Sequence, residues 1–327
     1  VCYAKGGETV TVTDANVVLG YLNQQHLVGG ALPIDAERGR DAFKAQVAEP
    51  LGLAIEEAAH GAFRIAASNM IRAIRAVSSE RGRDPRTFAL FAFGGNGPLF
   101  ACEMAKTLDM TRVVIPPSPG LFSAFGLLYA DLEHHYSRTL RRVTQEADAA
   151  EIAAAWGELE DQARTQLLAN GVAAADMQVR RAAALHYKGQ SFELVVPAPD
   201  GAIDKGFLDK LADAFGAEHE RVYGHRAGPE EPVELVSMQV VAASSADSGG
   251  VPERVVPSRP EPEPGPPRQV FFGQEHGWVV TRILRRADRE GGRAGPLIVE
   301  VYDATCVVPP GAQASLDGGG NIVIQLA

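Results

Sequence analysis

Thr87-Phe88-Ala89-Leu90-Phe91-Ala92-Phe93 runs almost wholly apolar into Gly94-Gly95-Asn96-Gly97-Pro98. Beyond the glycines, Leu99–Leu108 repeats Phe100, Ala101, Met104, Ala105 and Leu108 at helical spacing, and Arg112-Val113-Val114-Ile115-Pro116 is a second short apolar segment. Strand, glycine turn, helix and strand in that order make a βαβ unit. Strands this apolar predict a parallel or mixed sheet covered on both faces, so this part of the chain reads as α/β.

Working outward, the Thr/Val alternation over residues 8–12 suits a short strand. Thr13 or Asp14 then caps a helix carrying Val17, Val18, Leu19 and Leu22. From Ala54 to Arg81, Ile55, Ala59, Phe63, Ala66, Met70, Ile74 and Val77 recur at three- and four-residue steps, which predicts a long amphipathic helix. Downstream, Pro116-Pro117-Ser118-Pro119-Gly120 breaks the chain before the small and apolar stretch Leu121–Leu132. After Arg142 the pattern changes to an Ala-rich helix over Asp148–Asn170, a strand over Leu185–Val196, a helix over Phe207–Val222 and a strand over Pro232–Ala243. Residues Ser244–Pro267, rich in Ser, Gly, Pro and Glu, read as a linker, and Gln269–Leu326 reads as short strands between Gly/Pro turns. The expected layout is thus an α/β domain at 1–143, an α+β unit at 144–245, a linker at 246–267 and a small β-rich module at 268–327.

The 327 residues are 46% hydrophobic and 22% charged. At roughly 150 residues per domain this is two or three domains. A net charge of −10, with the basic residues interleaved among acids, argues against nucleic acid as a partner. No apolar run approaches the ~20 residues that cross a bilayer, and there is no secretory leader pattern. The expectation is a soluble, cytoplasmic protein with no membrane association. Cys2, Cys102 and Cys306 are far apart, which excludes a disulfide scaffold and a Cys-rich zinc site and predicts three buried thiols. The chain opens Val1-Cys2-Tyr3 in a stretch of mid-domain character and reads as a piece of a longer or processed polypeptide.

Gly94, Gly95, Asn96 and Gly97 carry the strongest chemical signal. Glycines let a flat base and ribose approach the backbone, and a helix start offers free N–H groups. The Lys-Ser/Thr of a Walker loop and the spacing of a dinucleotide fingerprint are both missing. Nucleotide binding and a merely tight strand-to-helix turn both fit. Asp131-Leu132-Glu133-His134-His135-Tyr136 reads as an acid/base or metal cluster, or as a polar exit from a core helix. Adjacent His134 and His135 would point to opposite sides, so no metal site is expected. Lys188-Gly189-Gln190-Ser191 and Arg221-Val222-Tyr223-Gly224-His225 either line a cleft or are ordinary glycine turns.

Several ordered motifs together resemble the hydantoinase A / 5-oxoprolinase family. They are Cys2-Tyr3 with Gly6-Gly7 and Thr11-Val12-Thr13-Asp14-Ala15-Asn16, then Phe93–Leu99, and Val114-Ile115-Pro116-Pro117-Ser118-Pro119-Gly120-Leu121-Phe122. Tyr187–Ser191, Tyr223–His225 and Tyr302-Asp303-Ala304-Thr305 with Val307–Gly311 continue the order. The resemblance covers the whole chain and matches it to the C-terminal half of such proteins. It implies part of an actin-like (ribonuclease H-like) ATPase lobe, with ATP and Mg2+ serving the full-length protein. The implied activity is ATP-dependent opening of a cyclic amide such as a hydantoin or 5-oxoproline, of N-methylhydantoinase or 5-oxoprolinase type, by activating the lactam oxygen. The alternatives are a subunit of an ATP-dependent ketone carboxylase and a non-catalytic module that docks a partner. Gly94, Gly95, Asn96 and Gly97 would face the adenosine, and Asp131, His134, Lys188 and His225 are weaker candidates for catalytic cleft residues. The family's phosphate loops lie upstream of the region matching Cys2. This chain alone is therefore expected to be inactive and to bind no cofactor tightly, its partners being its N-terminal half, a hydantoinase B-type subunit and a small cyclic amide. Asn96 stands where the family commonly has a small residue, and His135 where it has Asp.

Overall fold

The computed structural model describes residues 1–228, 230–244, 261, 263–289 and 292–327. Most of the expected linker, residues 246–260 and 262, lies outside them. The chain divides into two compact units, Val1–Leu127 with Pro252–Ala327, and Leu128–Val251.

In the first unit the helix expected to start at Thr13 or Asp14 instead spans Val12–Val18, capped by Thr11, and no strand forms over residues 8–12. The cause is Asp14, which is fully buried. Its carboxylate accepts from the Cys2 N–H (2.7 Å), the Thr11 N–H (2.8 Å) and the Thr11 hydroxyl (2.9 Å). Burial alone would raise the Asp14 pKa, but these hydrogen bonds outweigh it and hold the carboxyl below its ordinary range. The long helix runs Ile55–Val77, and Phe63 on it stacks on Phe100 of helix Gly97–Thr107 at 4.6 Å.

Strand Arg112–Ile115 organises a five-stranded sheet among the described residues. Leu90–Phe91 pairs with it in parallel, and Ile322–Gln325 pairs antiparallel on its other edge, followed by Gln313–Leu316 and Arg293–Ala294. The expected separate module at 268–327 is therefore corrected: these strands complete the sheet of the first unit. Val113, Ile115, Ile322 and Ile324 are all buried by that pairing, which a free-standing module would forfeit. A four-stranded sheet of the same unit joins Ala304–Val308, Leu297–Val301, Trp278–Leu284 and Arg268–Phe271. The first strand of the βαβ unit is only Leu90–Phe91, and it is not covered on both faces. Phe91 and Phe93 are 43% and 45% exposed and lean on Phe122, with ring centroids 5.4 and 5.6 Å from it. All three cysteines are buried, and none is in a disulfide.

The second unit begins at Leu128, not 144. Its antiparallel sheet takes the order Glu133–Val143, Val233–Ser244, Met177–Tyr187, Leu194–Pro197. The segment 131–136, expected as an acid/base cluster or a polar exit from a core helix, instead leads into strand Glu133–Val143, which belongs to this unit. The single strand expected over 185–196 is a hairpin that turns at Lys188-Gly189, where Gly189 has φ +92°. Helices Ala149–Ala169 and Lys205–Tyr223 are capped by the carboxylates of Asp148 and Asp204. Their apolar sides supply Trp156, Leu159, Phe207, Leu211 and Phe215 to the core of this unit.

Candidate functional site

The glycine loop takes its shape from the Pro116–Gly120 break. Gly94 has φ +85°, a region in which a side chain is strained, and its N–H donates to the Pro119 carbonyl at 2.6 Å. Asn96 is the N-cap of helix Gly97–Thr107, yet its side chain makes no capping bond. Among the described residues, the backbone N–H groups of Gly95 and Asn96 and the Asn96 amide have no hydrogen-bond partner. The loop thus presents open donors to solvent.

Facing it is the two-residue turn Tyr302-Asp303, which joins strands Leu297–Val301 and Ala304–Val308. Three chain segments crowd this turn. A Cβ on Gly120 would lie 2.8 Å from the Asp303 carbonyl oxygen, and one on Gly29 would lie 2.6 Å from the Tyr302 ring. A Cβ on Gly95 would meet only the Asp303 carbonyl, at an ordinary 3.6 Å. Between loop and turn is a cavity of about 150 Å³, lined by Gly95, Asn96, Tyr3, His26, Asp303 and neighbours from residues 22–29 and 300–305. Glu300, on the wall, is already neutralised by Arg268 and accepts from the Asn23 amide at 3.2 Å. Asp303 is not paired in this way: its Oδ2 is buried with no hydrogen-bond partner. No Lys or Arg is among the described residues of the wall.

Arg286 braces the site from behind. Its buried guanidinium donates to the carbonyls of Pro116 (2.8 Å), Gly320 (2.9 Å) and Ile115 (3.3 Å). Burial pushes its pKa down, against the opposing pull of Glu261, Asp303 and Asp317. Sequence reasoning missed both Arg286 and Asp303 as site residues. A second cavity of the unit, about 610 Å³, is lined by Tyr21, His60, Phe63, Glu103, Lys106 and His276, among others. Burial lowers the His60 pKa and raises that of Tyr21.

The four weaker candidates lie in the second unit, and no described hydrogen bond or ring contact joins any two of them. Asp131 is exposed, and Lys188 is exposed in the hairpin turn. His134 Nε2 bonds Asn170 Oδ1 at 2.9 Å, while His135 turns to Glu133, as alternation along a strand requires. The His225 side chain is exposed, and its carbonyl accepts from His219 Nδ1 at 2.6 Å. None of the four lines the 250 Å³ cavity of this unit, whose wall includes Tyr187, Asp209, Asp213 and Arg226. His186, which the sequence did not single out, pairs with Glu234 at 2.6 Å across the sheet in a part-buried position. Among the described residues, no three His, Cys, Asp or Glu side chains are placed to hold a metal ion. No described helix is long and apolar enough to cross a membrane.

Fold and loop together define a mixed α/β protein that carries a glycine-rich turn over a small polar cavity. The chain belongs to the hydantoinase/oxoprolinase family: the Hydantoinase/oxoprolinase model matches residues 1–136, and the Hydantoinase/oxoprolinase C-terminal domain matches residues 140–322. The acetone carboxylase beta subunit of Xanthobacter autotrophicus is 33% identical over 97% of this chain and 46% of its own length. The caprolactamase alpha subunit of Pseudomonas jessenii is 31% identical over 97% of this chain and 46% of its own length. The crystal structure of the ATP-dependent caprolactamase from P. jessenii superposes with TM-score 0.78 at 29% identity, over 99% of this chain and 48% of that one. The chain therefore spans about half the length of the curated relatives it matches.

Proposed function

We propose that this chain is one half of an ATP-dependent enzyme that opens a cyclic amide, and that residues 94–97 form its adenosine-facing loop within an actin-like lobe. A lactam is a poor electrophile. Transfer of the terminal phosphoryl group of ATP to the lactam oxygen, with release of ADP, leaves a carbon that water can attack. The protein's part is to hold the two substrates together and exclude competing water. The observation that carries the reading is the open loop: unpaired N–H groups at Gly95 and Asn96, and room above Gly95 that the protein's own packing does not use. A cation-free wall suits the uncharged part of a nucleotide, so the triphosphate and its Mg2+ need residues beyond this chain.

Likeness to a caprolactamase subunit supports a lactam substrate and a second large subunit, here proposed to be of hydantoinase B type. Likeness to a carboxylase subunit at similar identity favours one alternative, activation of a ketone and bicarbonate on the same scaffold. Asp131, His134, Lys188 and His225 remain proposed polar residues of the second unit. The test is ATP hydrolysis by the protein co-purified with its partner. Stimulation by hydantoin, 5-oxoproline or caprolactam supports the amidohydrolase, and stimulation only by acetone with bicarbonate supports the carboxylase. Hydrolysis that neither set changes overturns both.

A further inference from the structure

The second cavity of the first unit, about 610 Å³, shares no lining residue with the one under the glycine loop, and its volume suits a small organic ligand. Phe63 on its wall acts as a hub. Tyr21 meets the Phe63 ring edge-on at 5.1 Å, and His60 stacks beside it at 6.1 Å. Phe100 stacks on the same ring, and Glu103 follows Phe100 by three residues on helix Gly97–Thr107, so it shares that helix face. One ring thus gathers a hydroxyl, an imidazole and a carboxylate from three chain segments, and all three groups line the cavity. The fold leaves them unused. Tyr21 is 3% exposed, yet no hydrogen bond joins its hydroxyl, or either ring nitrogen of His60, to the described residues. Buried polar groups in native folds are hydrogen-bonded, so the missing partner has to come from the cavity. The His60 ring is nonetheless fixed: it lies edge-on to Phe271 at 5.8 Å, and a Cβ on Gly273 would sit 3.0 Å from its Cε1.

Charge and shape narrow the ligand. Three carboxylates, Glu103, Asp109 and Glu275, line the cavity against one lysine, Lys106, so the wall favours a cation. Glu103 has an ion-pair partner in Arg64, which is exposed and 3.6 Å away. Burial keeps Tyr21 and His60 uncharged near neutrality, raising the pKa of the first and lowering that of the second. A neutral phenol, a neutral imidazole and an ionised carboxylate can each accept a hydrogen bond, and an ammonium has three N–H groups to give. The faces of Tyr21, Phe63 and Phe272, packed on one another, add the attraction of aromatic rings for a cation. We infer that this cavity binds a small primary amine with an apolar body, its ammonium donating to Glu103, the Tyr21 hydroxyl and His60 while the body packs against Leu99, Met110 and Phe272. A lysine side chain would bring the same ammonium, but its slim stem would leave most of the volume unfilled, so the ligand is a free amine.

The experiment measures calorimetric binding of 2-phenylethylamine to the protein as its host produces it, beside 2-phenylethanol and 3-phenylpropanoate as neutral and anionic counterparts. The amine should bind, and the other two should bind roughly tenfold more weakly or not at all. Glu103→Gln keeps the shape and removes the charge, and should weaken the amine about tenfold or more. Tyr21→Phe keeps the ring and removes only the hydroxyl, and should weaken it about threefold to tenfold. Lys106→Met removes a competing cation and should leave amine binding level or stronger. Thermal unfolding of each variant reports whether it is folded, and Glu103→Gln, at a partly exposed position, decides the case if Tyr21→Phe unfolds. Three results overturn the assignment: no binding of the amine, binding of the alcohol or the carboxylate as tight as that of the amine, and amine binding that Glu103→Gln leaves unchanged.

Discussion

Gly95→Ala separates ligand approach from fold. The new methyl would meet only the Asp303 carbonyl, at 3.6 Å, and Gly95 does not hold a left-handed φ. Replacing glycine by alanine where the backbone already permits it stabilises a protein by about 0.4–1 kcal/mol through the unfolded chain. The urea midpoint should therefore stay level or rise slightly. Gly94→Ala should behave in the opposite way: at φ +85° an alanine costs roughly 1–2 kcal/mol, and the N–H bond to Pro119 is put at risk. If a nucleotide packs against the loop backbone, the Gly95 methyl intrudes on it, and overpacking of that kind costs about 1–3 kcal/mol. That is roughly a 5- to 150-fold loss of affinity. The assay is displacement of a fluorescent ATP analogue from the protein assembled with its partner, run beside urea unfolding of each variant. Gly318→Ala is the control, because a Cβ there meets nothing within 4 Å. If Gly95→Ala binds nucleotide as the wild type does, the loop is only a strand-to-helix turn and the nucleotide lies elsewhere.

Asp14→Asn should destabilise the first unit by about 3 kcal/mol, since it loses charge-assisted bonds from Thr11 while the Cys2 N–H stays buried. Because the folded carboxyl lies below its ordinary 3.8, the stabilisation is full above that value and is lost as pH falls through the folded pKa. The gap between wild type and variant in urea should accordingly be constant near neutrality and close at acid pH, and a gap that widens in acid would contradict the assignment. Arg286→Met removes the donor to three carbonyls and the cation beside Glu261, so unfolding should shift by about 2–4 kcal/mol; a shift within error would show that the brace is idle. Trp156→Ala empties a fully buried site beside Phe207 and should cost about 3–5 kcal/mol, read from the loss of the near-ultraviolet signal on heating. The isolated 327-residue chain should show no Mg2+-dependent ATP hydrolysis, and turnover abolished by a chelator would overturn the half-enzyme reading.

What the sequence made legible was local. Apolar periodicity located helices Ile55–Val77, Gly97–Thr107, Ala149–Ala169 and Lys205–Tyr223 to within a few residues, apart from the end before Arg81, where Ser79–Arg81 forms a separate 3-10 turn. The glycine loop could be found because its glycines interrupt two apolar segments. Pairing between distant strands could not. Ile322–Gln325 lies more than 200 residues beyond Arg112–Ile115, and nothing in either segment names the other as its neighbour. Strand Glu133–Val143 was missed because charges interrupt its alternation: Arg138, Arg142 and Glu133 are exposed ion-pair partners. Asp303 was hidden by its context, since an acid between two short apolar strands reads as ordinary turn chemistry. Only the folded hairpin shows that its Oδ2 is buried without a hydrogen-bond partner.

The glycines around the turn at Tyr302-Asp303 differ in what requires them, and that difference locates the site. Gly94 is required by its own backbone angle, Gly120 by the Asp303 backbone, and Gly29 by the Tyr302 ring. Each of these demands comes from the chain itself and would exist without any ligand. Gly95 has no such demand, since its angle is ordinary and the space above it is free. The three constrained glycines place backbone from residues 29, 94 and 120 against a single hairpin turn, and they leave Gly95 at the mouth of the cavity that results. Of the four, Gly95 is where a side chain could intrude on a ligand without first disturbing the protein. Loss of binding at residue 95 therefore reports on the ligand, whereas loss at 94 or 120 reports first on the turn that shapes the cavity.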